Sequence, residues 1–518
     1  MSGPDPARDV LTLLRGGVIT DGGATATSML VRGPVIEWIG DDATVDSDDA
    51  AEVIDLEGRL VTPPFVDAHV HTSDTGKALG GVDLGSARSV TEALDLVAAG
   101  ARRRPGRPVY AHSWDETNWA EQRAMTAEEL DRAGDGVEVY ATRVDVHSAS
   151  ASISLMGRAQ AWHAPGSDGT GLVVRDAHHL VRDAHRAGIT AADRSHFIEV
   201  ALRAAARAGI GCLHEMGAPV LTSEEDLLDV QAAAESPELP DVVAYWGQLV
   251  SDEHEAAELA ARLSVKGLAG DLNVDGSIGS RTAAVREPYL DAIDLRGYTY
   301  LAESDVAAHV AACTRAGLQA GFHVIGDAGM DCLVAGLRMA EADVGADRMR
   351  LVRHRIEHGE LCHPEHIRAL AELGVTASVQ PAFDSFWGGT EGMYAARLGP
   401  ERSLAANPIA DLVGAGVVVA LGSDSPVTPF APWEAMRGCV RHHSTVQRID
   451  ARTALALHTA QGHTAAGQDD GGRFRPGSPA SYVIWDSTEG LPRLDDDGSA
   501  PQAVRTVVRG RPLLGASG

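Results

Sequence analysis

The stretch Val61-Thr62-Pro63-Pro64-Phe65-Val66-Asp67-Ala68-His69-Val70-His71 decides how this chain is read. Two prolines end whatever precedes them, and a short apolar run then closes on His-x-His. Side chains alternate between faces along a strand, so His69 and His71 project the same way from one rigid support. Two imidazoles so placed can grip one metal ion if further ligands arrive from elsewhere. With 21 histidines in 518 residues, one such triplet is expected by chance. The motif therefore counts only if other strand ends supply partners.

Working outward, strand and helix patterns alternate. Strands are expected at 65–71, 210–216, 242–249, 270–276, 318–325, 353–358, 375–380 and 417–424, with helical patterns such as 304–316 and 327–341 between them. Eight such units predict an α/β fold, a (β/α)₈ barrel of the TIM type, whose chemistry lies at the C-terminal ends of its strands. Residues 85–195 break the alternation and read as an insertion after the first barrel strand, a lid or side wall. Within it Ser89…Glu92 and Thr126…Glu129 have the spacing of capping boxes. Short β segments at 10–56, 480–485 and 504–508, punctuated by Gly and Asp turns, predict one small β-sandwich domain made from both chain ends. The expected division is 1–64 with 468–518 for that domain and 65–467 for the barrel.

Formal net charge is −29, the wrong sign for nucleic acid or an anionic membrane. The five cysteines are scattered without paired metal spacing and read as reduced thiols. No signal-like start or membrane-length apolar run is present. The expectation is a cytoplasmic protein acting on a small-molecule substrate, without nucleic acid or membrane as partner. Oligomeric state stays open, a homodimer included.

The strand ends carry the chemistry. Beyond His69 and His71, parity along 270–276 turns Asp271, Asn273 and Asp275 to the barrel interior, and His323, His358 and Asp424 end the fifth, sixth and eighth strands. Four histidines and two carboxylates converging on one mouth point to a divalent metal. Nitrogen and oxygen ligands without thiolate suit zinc, one or two ions, with manganese, iron or nickel as alternatives. On the substrate side, Arg281, Gln380, and Trp114, Asp145 and His147 from the insertion are candidates. Arg353, Arg355 and Glu357 are expected on the helix-facing side, where charge has no evident use.

These motifs together resemble the amidohydrolase superfamily, and within it the branch of YtcJ-like hydrolases and N-substituted formamide deformylases. The resembling segments are 65–71, Val274-Asp275-Gly276-Ser277-Ile278-Gly279-Ser280-Arg281-Thr282-Ala283, His323-Val324-Ile325-Gly326-Asp327, His354-Arg355-Ile356-Glu357-His358, Gly422-Ser423-Asp424-Ser425-Pro426, Trp114-Asp115 and Arg143-Val144-Asp145-Val146-His147. The resemblance implies a metal on His69, His71 and Asp424, with His323 and His358 on a second metal or the substrate. One position departs: where relatives commonly carry a carbamylated lysine on the fourth strand, this chain has Asp271, and only Lys77 and Lys266 occur in the whole sequence. The expected reaction is hydrolysis of an amide, N-substituted formamide or cyclic amide. Asp424 relays a proton from water to the leaving nitrogen, and a metal or a histidine such as His323 polarises the carbonyl. Ester hydrolysis, isomerisation or a non-catalytic ligand-binding barrel are the alternatives.

Overall fold

A computed structural model describes residues 10–42 and 50–514. Eight strands in sequence order form one parallel sheet: β1 (Phe65–Val70), β2 (Ile210–Gly217), β3 (Asp241–Trp246), β4 (Gly267–Leu268), β5 (Gln319–Val324), β6 (Arg355–His358), β7 (Thr376–Val379) and β8 (Val419–Leu421). The sheet closes where β1 meets the segment after β8. There the Asp424 amide donates to the His69 carbonyl at 2.8 Å, and the His71 amide donates to the Ser425 carbonyl at 3.0 Å. The closing seam thus runs through the residues expected to bind metal.

Strand existence follows the apolar runs, but one expected strand is displaced. Residues 270–276 are not strand four; β4 is the two-residue Gly267–Leu268, and the following segment leaves the sheet apart from one bridge between Asn273 and His323. Released from strict alternation, Asp275 does not face the mouth. Its carboxylate accepts from the amides of Ala284, Ile325 and Gly326 at 2.8–2.9 Å and so braces the loops after β4 and β5.

The parity expected for strand six is also inverted. Arg355 and Glu357 are fully buried inside the barrel, where Arg355 reaches the Ala68 carbonyl of β1 at 2.8 Å. His354 points outward to Thr314 and the Ala320 amide. His358 still reaches the interior because its backbone turns left-handed (φ 71°) at the strand end, a conformation that costs a non-glycine residue energy and is common at functional sites. Asp424 does the same (φ 55°).

Between β1 and β2 lies the insertion, a five-stranded sheet of Val82–Asp83, Val109–Trp114, Val139–Arg143, Ser148–Ala151 and Leu172–Val174 with its own apolar core. Helix α1 (Thr72–Leu79) leads into it and helix α2 (Arg175–Arg186) leaves it. The Thr126 capping box forms as expected, whereas Glu92 turns to the Arg88 amide and leaves Ser89 as a one-sided cap. The chain ends contribute a four-stranded sheet and a six-stranded sheet; the latter pairs Leu60–Thr62 with Tyr482–Trp485. Leu14, Met29 and Ile36 of one sheet share a core with Ile19, Val61, Ile484 and Val507 of the other. No helix among the described residues is long and apolar enough to cross a membrane.

Gly422 makes the barrel seam possible. A Cβ there would stand 2.7 Å from the His69 nitrogen and 3.1 Å from the His69 Cβ, and backbone cannot rotate away as a side chain can. Gly422→Ala is therefore expected to destabilise the fold by about 1–3 kcal/mol, read as a lower midpoint in denaturant. An unchanged midpoint would show that strands one and eight do not meet so closely.

Candidate metal centre

The first strand delivers His69 and His71 to the mouth as alternation requires, their ring centroids 5.2 Å apart. Asp271 and Asp424 stand against both. His71 Nε2 lies 3.1 Å from Asp271 Oδ2 and 3.3 Å from Asp424 Oδ1. His69 Nε2 lies 3.4 Å from Asp424 Oδ1 and 3.6 Å from Asp271 Oδ1. Ligand bonds of about 2.0–2.2 Å put neighbouring tetrahedral donor atoms about 3.3–3.6 Å apart; His69, His71 and Asp424 form one group spaced for an ion, while Asp271 meets the two histidines through different oxygens. His69 Nε2 and Asp271 Oδ1 are buried without a hydrogen-bond partner, which is costly unless something else satisfies them. The donor set therefore fits a divalent cation. His358, with its ring centroid 4.9 Å from that of His69, joins His69 and Asp271 in an overlapping triad.

Asp271 occupies the place of the expected lysine and touches the histidines directly. Lys266 does not substitute for it: it is exposed at the start of β4, close to Gly467 at the barrel's opposite end.

Electrostatics bind the cluster together. Burial alone would strip the proton from His71, yet Asp271 and Asp424 outweigh it and hold the imidazole well above its usual range. Burial would likewise protonate Asp271, but His71 and His69 keep its carboxyl far below the ordinary value. Each thus holds the other in its charged form.

Beneath the ligands lies a polar column that sequence reasoning placed on the wrong face. His69 Nδ1 lies 2.9 Å from Glu357 Oε2. Glu357 in turn is clamped by Arg355, whose Nε and Nη2 donate at 2.6 and 3.0 Å. Arg355 stacks over Tyr245, its guanidinium 4.7 Å from the ring centroid, and the Tyr245 hydroxyl donates to Gln319 at 2.9 Å. Burial opposes ionisation of Glu357, but Arg355 and His69 hold its carboxyl down at about 2. A carboxylate on Nδ1 fixes the tautomer that presents Nε2 to a metal. The pattern Arg-x-Glu-His was visible, yet a two-residue alternation cannot reveal that the strand's last residue is flipped.

The other candidates divide. Gln380 Oε1 lies 2.8 Å from His358 Nδ1, so it orients that ring instead of lining the substrate space. Arg281 does not reach the mouth; it forms a two-pronged pair with Asp291 at 2.7 and 3.0 Å. Trp114 is corrected too: it is buried in the insertion's core against Trp119, its indole donating to the Ala141 carbonyl. Asp145 and His147 do reach the site and line its cavity. Asp145 is held by Arg143 and by the Ser277 and Ser280 hydroxyls, and His147 lies 5.2 Å, ring to ring, from His323. Burial keeps both His147 and His323 below the usual imidazole range, hence neutral.

The mouth opens into a cavity of about 320 Å³ that touches His71, Asp271, His323, His358 and Asp424 on one side and helix α2 on the other. Sequence reading missed the α2 contribution. His178, Arg182 and His185 sit at helical spacings of four and three residues, a polar stripe that was there to be found.

The amidohydrolase family sequence pattern matches residues 52–514. The chain belongs to that family. It is 26% identical to Protein LONG AFTER FAR-RED 3 of Arabidopsis thaliana, covering 94% of this chain and 88% of that protein. It is 22% identical to N-substituted formamide deformylase of Arthrobacter pascens, covering 89% and 90%. In fold it is similar to an uncharacterized metal-dependent hydrolase of Pyrococcus furiosus, with a TM-score of 0.71 at 24% identity over 92% of this chain and 99% of that one.

If Glu357 orients His69, Glu357→Gln lowers metal affinity about 10- to 100-fold, measured by competition against a chromophoric chelator. It also leaves the Arg355 charge buried without its partner, so stability falls by about 3–5 kcal/mol. Unchanged metal affinity in the folded variant would remove Glu357 from the site.

Proposed function

We propose that this protein hydrolyses a C–N bond, that of an amide, N-substituted formamide or cyclic amide, with one zinc ion held by His69, His71, Asp271 and Asp424. The observation that carries the reading is the His69–His71–Asp424 triad around the unpartnered His69 Nε2, with Asp271 3.1–3.6 Å from both imidazoles, at the floor of a substrate-sized cavity. The family likeness, and the similarity to an N-substituted formamide deformylase over most of the chain, support the amide class. A divalent ion in this position acidifies water and polarises a carbonyl at neutral pH.

One ion is favoured over two by the chain itself. Both ligand triads require His69, and its Nδ1 is engaged by Glu357, which leaves one ring nitrogen to give. Mixed nitrogen and oxygen donors suit zinc, with manganese, iron or nickel the next choices.

The residues then do the following. Asp424, at the seam and bordering the cavity, accepts a proton from the attacking water. A C–O bond forms at the carbonyl carbon, the C–N bond breaks, and Asp424 returns the proton to the leaving nitrogen, so that amide and water become acid and amine. Neutral His147 and His323 stand beside the cavity, where a ring N–H can donate to the carbonyl oxygen as negative charge develops on it. The insertion shields this chemistry from bulk water on the α2 side.

Two experiments test the reading. Chelation should abolish turnover of an N-formyl or N-acyl amine and added zinc should restore it, with about one equivalent of metal found in active protein. Asp424→Asn, saturated with zinc and folded by circular dichroism, should lose about 10²–10⁴ in kcat. Turnover that survives either treatment, or activity confined to esters, would overturn the proposal.

A further inference from the structure

The proposed reaction leaves one charge in the cavity unused. Five cationic side chains line it: Lys77, Arg175, Arg182, Arg186 and Arg194. Lys77 is paired with Asp74, Arg186 with Asp183, and Arg194 with Asp229. Arg175 stacks on Tyr298, 4.8 Å from its ring centroid. Arg182 has no hydrogen bond or ion pair to any described residue, and its Nε is buried without a partner. The acids of the cavity have partners other than Arg182: Asp74 has Lys77, Asp145 has Arg143, Asp226 accepts from Ser73 on Oδ1 while its Oδ2 is buried without a partner, and Asp271 and Asp424 stand against the metal-site histidines.

The surroundings sharpen the point. Tyr140 and Tyr110 flank the ring of His185, with centroids 4.9 and 5.8 Å away, and the Tyr140 hydroxyl bonds His178 Nε2 at 2.8 Å. This end of the cavity is a wall of rings, with Lys77, which Asp74 pairs, 4.5 Å over the Tyr110 ring and the Arg182 guanidinium also lining it. Burial, aided by Arg182, depresses His178 and His179, so neither imidazole competes with Arg182 as a cation. A half-buried guanidinium with no hydrogen-bonded acid, whose electrostatic neighbour Asp74 is already paired with Lys77, in a chain carrying a net charge of −29, is a charge held for something that arrives. A planar fork of N–H donors matches a carboxylate best.

We infer that the substrate carries a carboxylate close to the scissile C–N bond, and that Arg182 of the insertion binds it while the barrel acts on that bond. The substrate class is an N-acylated amino acid or a cyclic amide bearing an acid side chain, with an apolar or aromatic body against Tyr110 and Tyr140. This rests on the C–N hydrolase reading and narrows it.

Matched pairs test it. N-formyl-, N-acetyl- and N-benzoyl-phenylalanine and -leucine are each compared with the corresponding carboxamide, and with ester analogues of both, on zinc-loaded protein. Binding of N-acetyl-phenylalanine and N-acetyl-phenylalaninamide to zinc-loaded Asp424→Asn is measured by calorimetry. The acid members are expected to win by about 30- to 100-fold in kcat/KM, the worth of one charge-assisted contact. Arg182→Gln should erase that preference by lowering kcat/KM on the acids alone, with carboxamides changed less than about threefold, and Arg182→Lys should keep part of it. Equal rates and equal binding within every pair, or an Arg182→Gln loss shared by acids and carboxamides, would overturn the inference and leave C–N hydrolysis standing. Activity on esters but on no amide would instead overturn the C–N reading, and the acid-against-carboxamide comparison among the esters would still decide the role of Arg182.

Discussion

The contact between Glu357 and His69 holds the rest in place. A carboxylate and an imidazole meet 2.9 Å apart at the centre of a barrel from which water is excluded, and an isolated charge could not persist there. Arg355 resolves the problem from below, and Tyr245 and Gln319 continue the column to the far end. Where most barrels of this kind fill their interior with branched apolar side chains, this one fills much of it with a chain of mutually satisfied polar groups. The cost of desolvating them is offset only if every member keeps its partner. That requirement ties the geometry of His69 to the integrity of the whole barrel.

The same logic explains the closing seam. His69 and Asp424 are joined through their backbones as well as through their side chains, because the Asp424 amide donates to the His69 carbonyl. Gly422 lets the two segments approach. Barrel closure and assembly of the ligand set are therefore one event, and neither can loosen without the other. Left-handed backbone at His358 and Asp424 adds local strain that the surrounding hydrogen bonds must outweigh.

Barrel and insertion divide the work. The barrel presents acids and imidazoles on rigid strand ends, an arrangement suited to reactivity. The insertion brings Asp145, His147 and the inner face of α2 across the mouth, an arrangement suited to selection. Asp145 couples the two parts, since Arg143 of the insertion and the Ser277 and Ser280 hydroxyls of the loop after β4 all hold it. Selection can then vary through α2 without disturbing the ligands.

By itself the sequence determined seven of the eight barrel strands in order, the inserted segment, and the pairing of His69 with His71, because these rest on local alternation and on turn residues that act over a few positions; the fourth strand lies a few residues upstream of its expected place. It also marked His323, His358, Asp271 and Asp424 as residues for one mouth. Tertiary structure alone decided which way several of them point. Strand six turns Arg355 and Glu357 inside, and positive φ at His358 lets that ring reach the interior as well. Asp275 became a brace, Arg281 and Trp114 found partners away from the cavity, and Arg182 was left without one. The physical reason is common to all of these. Periodicity states which residues share a face, but a buried polar group settles where long-range hydrogen bonds and opposite charges can satisfy it, and those partners lie tens to hundreds of residues away along the chain.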